Sequence, residues 1–590
     1  MASRQAVYPP PAWKPVKRLF RLLELDRKDI TFIYLYAIFA GLITLSLPLG
    51  IQAIIGLIAG GAMSSSLVLL IVVVTVGTAL TGLLKVMQLT VTETLQRRIF
   101  TRSAFEFAFR IPRIRMESLA REYPPELVNR FFDTLTLQKG LPKILMDFST
   151  AFLQIIFGLI LISFYHPFFV FFGLILLLVL AAIFRFTGPG GLKTSLQESK
   201  YKYAVAHWLQ ELARSVTTFK LSGTSRFPLE QTDGLVVNYL DARRQHFRIL
   251  LFQYGNIVAF KTIVTGALLI LGSILVIDNQ INLGQFVAAE IVVILITSSV
   301  EKLILTMETI YDVLTGLEKI GAVTDLPLDA DEGIRFEEVD TGRGMEVELR
   351  DLAFRFDDAE QPTVDGLDLH IEAGERICVA GYNRSGKSTL IQLIAGLFND
   401  YQGSISYNGI PMRNFCLPSL REYIGDHTSQ EDIFRGSILD NIRLGHEEVD
   451  LQDVVRAAEG VGLASYIQGL PEGYRTQLLP GGRNIPGSIR AKIILTRGIV
   501  SSPRLLAMEE FFSNLEPFDR ERIADYLTDK NKNWTLVAVS DDPILAARCD
   551  RVVIMDHGKI VEQGPYEKIC QSPHFARIFK SNSPIADTAL

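Results

Sequence analysis

The sequence predicts a multidomain protein in which an all-α bundle of six membrane-spanning helices precedes an α/β domain. Three observations carry that prediction. Six apolar segments, each near the ~20 residues that a bilayer requires, fall between Ile30 and Thr306. After Gly316 the hydrophobicity drops and the pattern changes to strands alternating with helices. Between one such strand and the helix after it lies a glycine-rich loop, G-Y-N-R-S-G-K-S-T, from Gly381 to Thr389. Composition agrees. A chain of 590 residues exceeds one ordinary domain, and 48% hydrophobic residues with a mean hydropathy of +0.26 is high for a soluble enzyme. The net charge of −5 is small and gives no sign of nucleic-acid binding.

Residues 1–29 are expected to form a cytosolic N-terminal segment. The run M-A-S-R-Q-A-V-Y-P-P-P lacks an apolar core followed by a small-residue cleavage site, so no removable signal peptide is expected and the first hydrophobic helix directs insertion. From Arg18 to Asp29 basic residues interleave with Leu19, Phe20, Leu22 and Leu23, which suits either a helix along the inner membrane face or an ordinary soluble helix. The spans are Ile30 to Ala53, Leu67 to Leu84, Phe148 to Tyr165, Pro167 to Phe184, Ile257 to Ile277 and Leu283 to Thr306. The connectors Ala59 to Ser66, around His166 and Asp278 to Asn282 hold no Lys or Arg, whereas Arg97 to Lys143 and Arg185 to Arg248 are rich in both. By the positive-inside rule the long segments and both termini are cytosolic. Helical periodicity continues through Ala204 to Val216 and Asp233 to Leu251, so the spans are expected to project into the cytosol. Met116 to Asn129 and Ala213 to Gly223 read as short transverse helices suited to contact a soluble domain. Glu290 is the one acidic residue deep in a span, suited either to a cavity that substrate or protons reach or to a hydrogen bond within the bundle.

The bundle is expected over 30–320, a linker over 321–344, and the α/β domain over 345–590. Val347 to Phe356, Leu367 to Ile371 and Glu375 to Ala380 read as strands, and Lys387 to Leu397 as a helix. The loop between the last two matches G-x-x-x-x-G-K-[ST] at every fixed position. Gly381 and Gly386 let the backbone close around an anion, Lys387 reaches the outer phosphates, and the Ser388 hydroxyl can ligate Mg²⁺. Asn383, Ser385 and Thr389 complete this phosphate-binding segment. The four cysteines, Cys378, Cys416, Cys549 and Cys570, have no metal-ligand spacing and are expected as reduced thiols.

Six helices with cytosolic extensions, a linker and a loop domain of this length resemble a half-transporter of the ABC exporter family. The resemblance implies an all-α six-helix transmembrane exporter domain followed by an α/β P-loop NTPase domain that binds ATP with Mg²⁺. Residue by residue, it places the base-stacking aromatic on Phe356 and the Q-loop glutamine on Ser429, with Gln430 one place late. The signature falls on Ile485 to Ile489 (I-P-G-S-I), where Pro486 replaces a serine; proline fits a helix's first turn, so that helix is expected to survive. The Walker B strand is Leu505 to Glu510. Glu510 matches the catalytic carboxylate, while Glu509 replaces the aspartate that holds Mg²⁺ through water. Glu516 replaces the D-loop aspartate, and Asp541 stands where the family has its switch histidine. An ionised carboxylate about 4 Å from a phosphate charge is repelled by about 4 kcal/mol at an effective dielectric near 20. Each lost transition-state donor costs about 10²- to 10³-fold in rate. Nucleotide binding with slow or absent hydrolysis is therefore expected.

Further implications concern partners. Sites form head to tail between two chains, so a second half-transporter is expected, in a homodimer or a heterodimer, in the lipid bilayer of the inner membrane with the nucleotide domain in the cytoplasm. L-P-L-G-I-Q-A-I-I, Leu47 to Ile55, looks like the first span of type I secretion and bacteriocin exporters and so implies a periplasmic adaptor protein. The alternative reading is an ATP-binding, non-catalytic membrane subunit that gates or scaffolds a partner.

Overall fold

The structure is a computed structural model and describes residues 13–59, 65–120, 124–427, 433–512 and 515–579. Two compact units divide the chain: Met1–Pro112 with Glu122–Leu326, and Arg113–Arg121 with Pro327–Leu590.

In the first unit every named element is helical. In α1 (Trp13–Leu25), Leu19, Leu22 and Leu23 pack on a core of Ile33, Leu95, Leu137 and Leu141, and Arg18 pairs with Glu318 and Asp325. Phe20, on the other side, is 66% exposed, so the helix is clamped to the bundle by one edge and shows an apolar residue outward. Among the described residues, six helices or helix pairs are long and apolar enough to cross a membrane. The first is broken at Leu45 into α2 (Arg27–Thr44) and α3 (Ser46–Ala59). Pro48 has no N–H to offer the Thr44 carbonyl, and the Thr44 hydroxyl bonds back to the Ala40 carbonyl at 2.7 Å.

The others are α4 (Ser65–Arg110), α7 (Asp133–Ser163), α8 (Pro167–Arg214), α10 (Phe227–Ile277) and α11 (Leu283–Thr324), with the short α5 (Met116–Leu119), α6 (Pro124–Asn129) and α9 (Val216–Leu221) between them. At 46, 48 and 51 residues, α4, α8 and α10 are more than twice the length a bilayer needs, so the apolar spans continue as polar helix. Their starts are chemically set. Pro167 opens α8 while His166 Nδ1 accepts the Phe168 N–H at 3.2 Å, and Asn282 with Gln285 forms a reciprocal capping box at the start of α11. Glu290, half-exposed on α11, has no hydrogen bond or ion pair among the described residues.

The second unit holds three sheets. An antiparallel sheet has the order β2-β1-β4-β5, from β1 (Val347–Phe354), β2 (Val364–Ile371), β4 (Gln402–Tyr407) and β5 (Ile410–Pro411). The main sheet runs β12-β11-β3-β10-β9-β6, with β3 (Arg376–Gly381), β6 (Ile424–His427), β9 (Leu505–Glu509), β10 (Thr535–Val539), β11 (Arg551–Asp556) and β12 (Lys559–Gly564). It is parallel except for β12. A two-stranded ribbon joins β7 (Gly436–Ser437) and β8 (Gln477–Leu478). The helices that carry the argument further are α12 (Lys387–Ile394), α13 (Leu417–Glu422), α14 (Ile438–Arg443), α15 (Leu451–Gly460), α16 (Ala464–Gln468), α17 (Gly487–Val500) and α18 (Pro517–Thr528).

Two segments outside the α/β pattern also pack here. Arg113 to Ala120, with α5, docks by the Ile114–Leu328 bridge, and Glu117 accepts the N–H groups of Asn399 and Asp400. The segment read as a linker is held from Pro327 onward: Phe336 is 1% exposed against Phe415 and Tyr423, and Asp340 takes two 2.8 Å bonds from Arg504. All four thiols are free, with Cys570 exposed and the other three buried.

Candidate nucleotide site

The loop from Gly381 to Thr389 sits where a rigid strand meets a helix. Strand β3 lies between β11 and β10, and from Arg376 to Ala380 it is fully buried. Arg384 (φ +66°) and Gly386 (φ +95°) turn the chain in the left-handed region, so that successive N–H groups face inward ahead of α12. A Cβ on Gly386 would lie 2.5 Å from the Thr363 carbonyl oxygen, so only glycine fits there. Lys387 Nζ donates to the carbonyls of Gly381 and Tyr382, both at 2.8 Å, and lies 3.4 Å from Ser385 Oγ. Ser385 and Thr389 are buried, while Asn383 and Ser388 are exposed at the mouth.

Electrostatics draws the Walker B segment into the same place. Burial lowers the Lys387 ammonium's pKa, opposed by the carboxylates of Glu510, Asp541 and Glu509. Burial raises the Glu509 carboxyl's pKa, and the Ser388 hydroxyl works against the rise. Glu510 is the first residue past β9. Its φ is +45°, held by a 3.1 Å bond from its N–H to the Val539 carbonyl, and its side chain is exposed. A left-handed non-glycine backbone costs about 1–3 kcal/mol and persists where its surroundings enforce it.

Of the pair Asp541-Asp542, the second has a structural task. Asp542 is buried, accepts the Ile544 N–H at 2.8 Å and pairs with Arg520 at 3.3 Å. That leaves Asp541, exposed, in the field of Lys387. Phe356 is half-buried and stands edge-on to Phe354 and Phe398, with centroids 5.0 and 5.7 Å away. The signature helix α17 does form. Pro486 occupies its N-cap in an extended conformation (φ −59°, ψ 152°) rather than the first turn, and supplies no side-chain cap. Ser429 and Gln430 lie outside the described residues.

The sequence reading passed over His427. This residue ends β6 beside Met508 of β9, is 3% exposed, and places Nδ1 3.3 Å from the Glu509 carbonyl oxygen. Burial lowers the imidazole's pKa. A histidine ending the edge strand β6, next to the strand that carries Glu509, was the available signal.

A strand-loop-helix phosphate cradle with paired carboxylates at the next strand's end, in a chain with six apolar spans, defines an ATP-binding membrane transport protein of two domains. The chain belongs to the ABC transporter family. The family model "ABC transporter transmembrane region" matches residues 30–300, and the model "ABC transporter" matches residues 364–513. Among curated relatives, the transport/processing ATP-binding protein ComA of Streptococcus pneumoniae (strain ATCC BAA-255 / R6) is 25% identical over 485 residues, covering 81% of this chain and 66% of that protein. The beta-(1→2)glucan export ATP-binding/permease protein NdvA of Agrobacterium vitis is 27% identical over 321 residues, covering 54% of this chain and 55% of that protein. The ATP-dependent lipid A-core flippase of Chromobacterium violaceum is 26% identical, covering 46% and 47%. The matches thus span 66% of the first of these relatives and about half of the other two. A solved bacterial Atm1-family ABC exporter with ATP bound shares the fold, with a TM-score of 0.84 at 16% identity over 96% of this chain and 99% of that one.

Proposed function

We propose that this chain is one half of a dimeric ABC exporter in which Mg²⁺-ATP binding drives transport and hydrolysis is slow. The observation that carries this reading is Lys387 Nζ held by the Gly381 and Tyr382 carbonyls over a cradle that a Cβ would fill, with the Ser388 hydroxyl acting on the Glu509 carboxylate. In this reading the loop amides and Lys387 bind the phosphates, Ser388 with Glu509 holds a hydrated Mg²⁺, and Phe356 offers a ring face to the base. Glu510 orients the attacking water and accepts its proton. The cluster of positive charge in the long connectors supports an inner-membrane protein with its nucleotide domain in the cytoplasm. Unbroken chain from α4 into α5, which packs within the nucleotide-binding unit, supports α5 as a carrier of motion. A second half-transporter, in a homodimer or a heterodimer, completes each site, and the Leu47 to Ile55 run supports a periplasmic adaptor as a further partner. The relatives' names span a glucan and a lipid, so no cargo is carried over from them.

Slow turnover follows from charge. Asp541 adds a third carboxylate around Lys387 where a γ-phosphate donor is needed, and Pro486 offers neither a hydroxyl nor an N–H. The same observation favours a second reading, a subunit that binds ATP and gates its partner without hydrolysis. Purified full-length protein in lipid nanodiscs decides between them. Export predicts slow Mg²⁺-dependent ATP turnover that Glu510→Gln abolishes, with nucleotide binding kept in that variant and lost in Lys387→Ala. Binding with equal background rates in wild type and Glu510→Gln would establish the gating reading instead.

A further inference from the structure

The imidazole of His427 is buried beside the Walker B segment, and among the described residues Nε2 has no hydrogen-bond partner. Its other nitrogen faces a carbonyl, the Glu509 oxygen at 3.3 Å, which only an N–H can satisfy. Nδ1 therefore carries the proton and Nε2 is a bare acceptor. Left unsatisfied in the interior, such an acceptor is destabilising, a cost that an aliphatic residue packed on Phe511 would avoid.

His427 lines a cavity of about 10 Å³, whose other walls are Gly487, Arg490, Ala491, Ile494, Glu510 and Phe511. That volume is near the size that holds one water molecule, roughly 10–15 Å³. The cavity's polar side chains complement each other. Arg490 is a donor, with Nη1 already bonded to the Gly481 carbonyl at 2.9 Å, while His427 Nε2 and the Glu510 carboxylate are acceptors. One water satisfies all three by accepting from Arg490 and donating one hydrogen to each acceptor.

We propose that His427 is a positioning residue for Glu510, acting through a single buried water that His427 Nε2, Arg490 and one Glu510 oxygen hold between them. The second Glu510 oxygen is then aimed at the attacking water and takes its proton. This anchorage matters in a site where Asp541, which like Glu510 acts on Lys387, stands in place of a donor side chain. It comes from the β6 side of β9, opposite the β10 side from which Asp541 approaches. The proposal rests on the reading of Glu510 as the general base.

Two measurements on the full-length protein in nanodiscs test it. In steady-state ATP hydrolysis, His427→Leu is expected to lower kcat by about 10- to 100-fold, with KM for Mg²⁺-ATP within about twofold, because Glu510 loses its aim and not its substrate. His427→Gln, whose amide oxygen can accept the same hydrogen bond, is expected to stay within about fivefold of wild type. Equal losses in both variants, or a change confined to KM, would overturn the proposal. The second measurement needs no turnover: ¹⁵N resonances of histidine-labelled protein, with the His427 signals assigned by their loss in His427→Gln. A protonated Nδ1 and a bare Nε2 whose shift moves on Glu510→Gln is the expected result. A protonated Nε2, or one indifferent to that change, would refute it even if the variants fold poorly. If Glu510→Gln hydrolyses ATP at the wild-type rate, the base assignment fails, and the resonances still decide the water bridge.

Discussion

Replacing Gly191 with alanine is expected to destabilise the helical unit, although alanine is the better helix former. Gly191 lies on α8 against Tyr311 of α11, and a Cβ there would stand 2.5 Å from Tyr311 Cε2 and 2.6 Å from its Oη. The phenol cannot retreat cheaply. It is 2% exposed, its Oη accepts a 3.0 Å bond from Gln253 Nε2, and the same amide donates to Thr187 Oγ1 at 2.6 Å. Overpacking costs about 1–3 kcal/mol and the lost hydrogen bond about 1 kcal/mol. Against that stands a gain of about 1 kcal/mol for alanine over glycine in a helix. The net is a loss of about 2 kcal/mol, on the order of a 4 °C fall in Tm for a unit of this size. Thermal unfolding of detergent-solubilised protein by intrinsic fluorescence measures it. Gly188→Ala is the control, because a Cβ there has nothing within 4 Å and should leave Tm unchanged or raised. Gly191→Ala melting at or above Gly188→Ala would refute the close-approach argument.

Three further outcomes are expected. Combining Pro486→Ser, Ser488→Gly and Asp541→His should raise ATP turnover by at least about 10-fold by restoring donors at the γ-phosphate, and an unchanged rate would show that their loss is not what limits hydrolysis. Gly386→Ala should abolish binding of a fluorescent ATP analogue, since its Cβ meets the Thr363 carbonyl at 2.5 Å and its φ of +95° strains any side chain; retained affinity would mean that the loop can re-form. The Arg504 guanidinium bonded to Asp340 holds that carboxyl below the usual carboxylate range. A lowered folded pKa adds stability above the ordinary aspartate value near 4, and that stability is lost as pH falls through the folded value. Asp340→Asn should therefore lower Tm at neutral pH, with an effect that shrinks as the pH falls below about 4, as differential scanning fluorimetry would report.

The candidate site shows where the chain's own text ran out. Lys387 and Ser388 were legible because phosphate binding demands fixed spacing along one strand, loop and helix, whereas Glu510 was placed only by resemblance to the family's Walker B strand. The influence of Ser388 on Glu509 was not legible, because β3 and β9 lie far apart in sequence and are separated in the sheet by β10. His427 was missed for the same reason: its meaning depends on the Glu509 carbonyl one strand away and on Arg490 at the start of α17, neither of them a sequence neighbour. Register had already placed Asp541 at the switch position, and the structure adds that its neighbour Asp542 is taken up by Arg520 and the Ile544 N–H.

By itself the sequence determined the two-domain architecture, the number of spans and the identity of the phosphate loop. Each depends on periodicity or spacing over a few tens of residues, which local physics reads directly. Tertiary structure alone decided that the stretch from Pro327 onward packs as part of the nucleotide-binding unit, that within Met116 to Asn129 only α5 falls in that unit while α6 falls in the helical one, and that the first span breaks at Leu45. Phe336 shows the reason: nothing in its surroundings in sequence marks it as core, and it is buried because Phe415 and Tyr423, remote along the chain, close over it. Burial is a property of what folds back onto a residue, and that is settled only when the distant partners arrive.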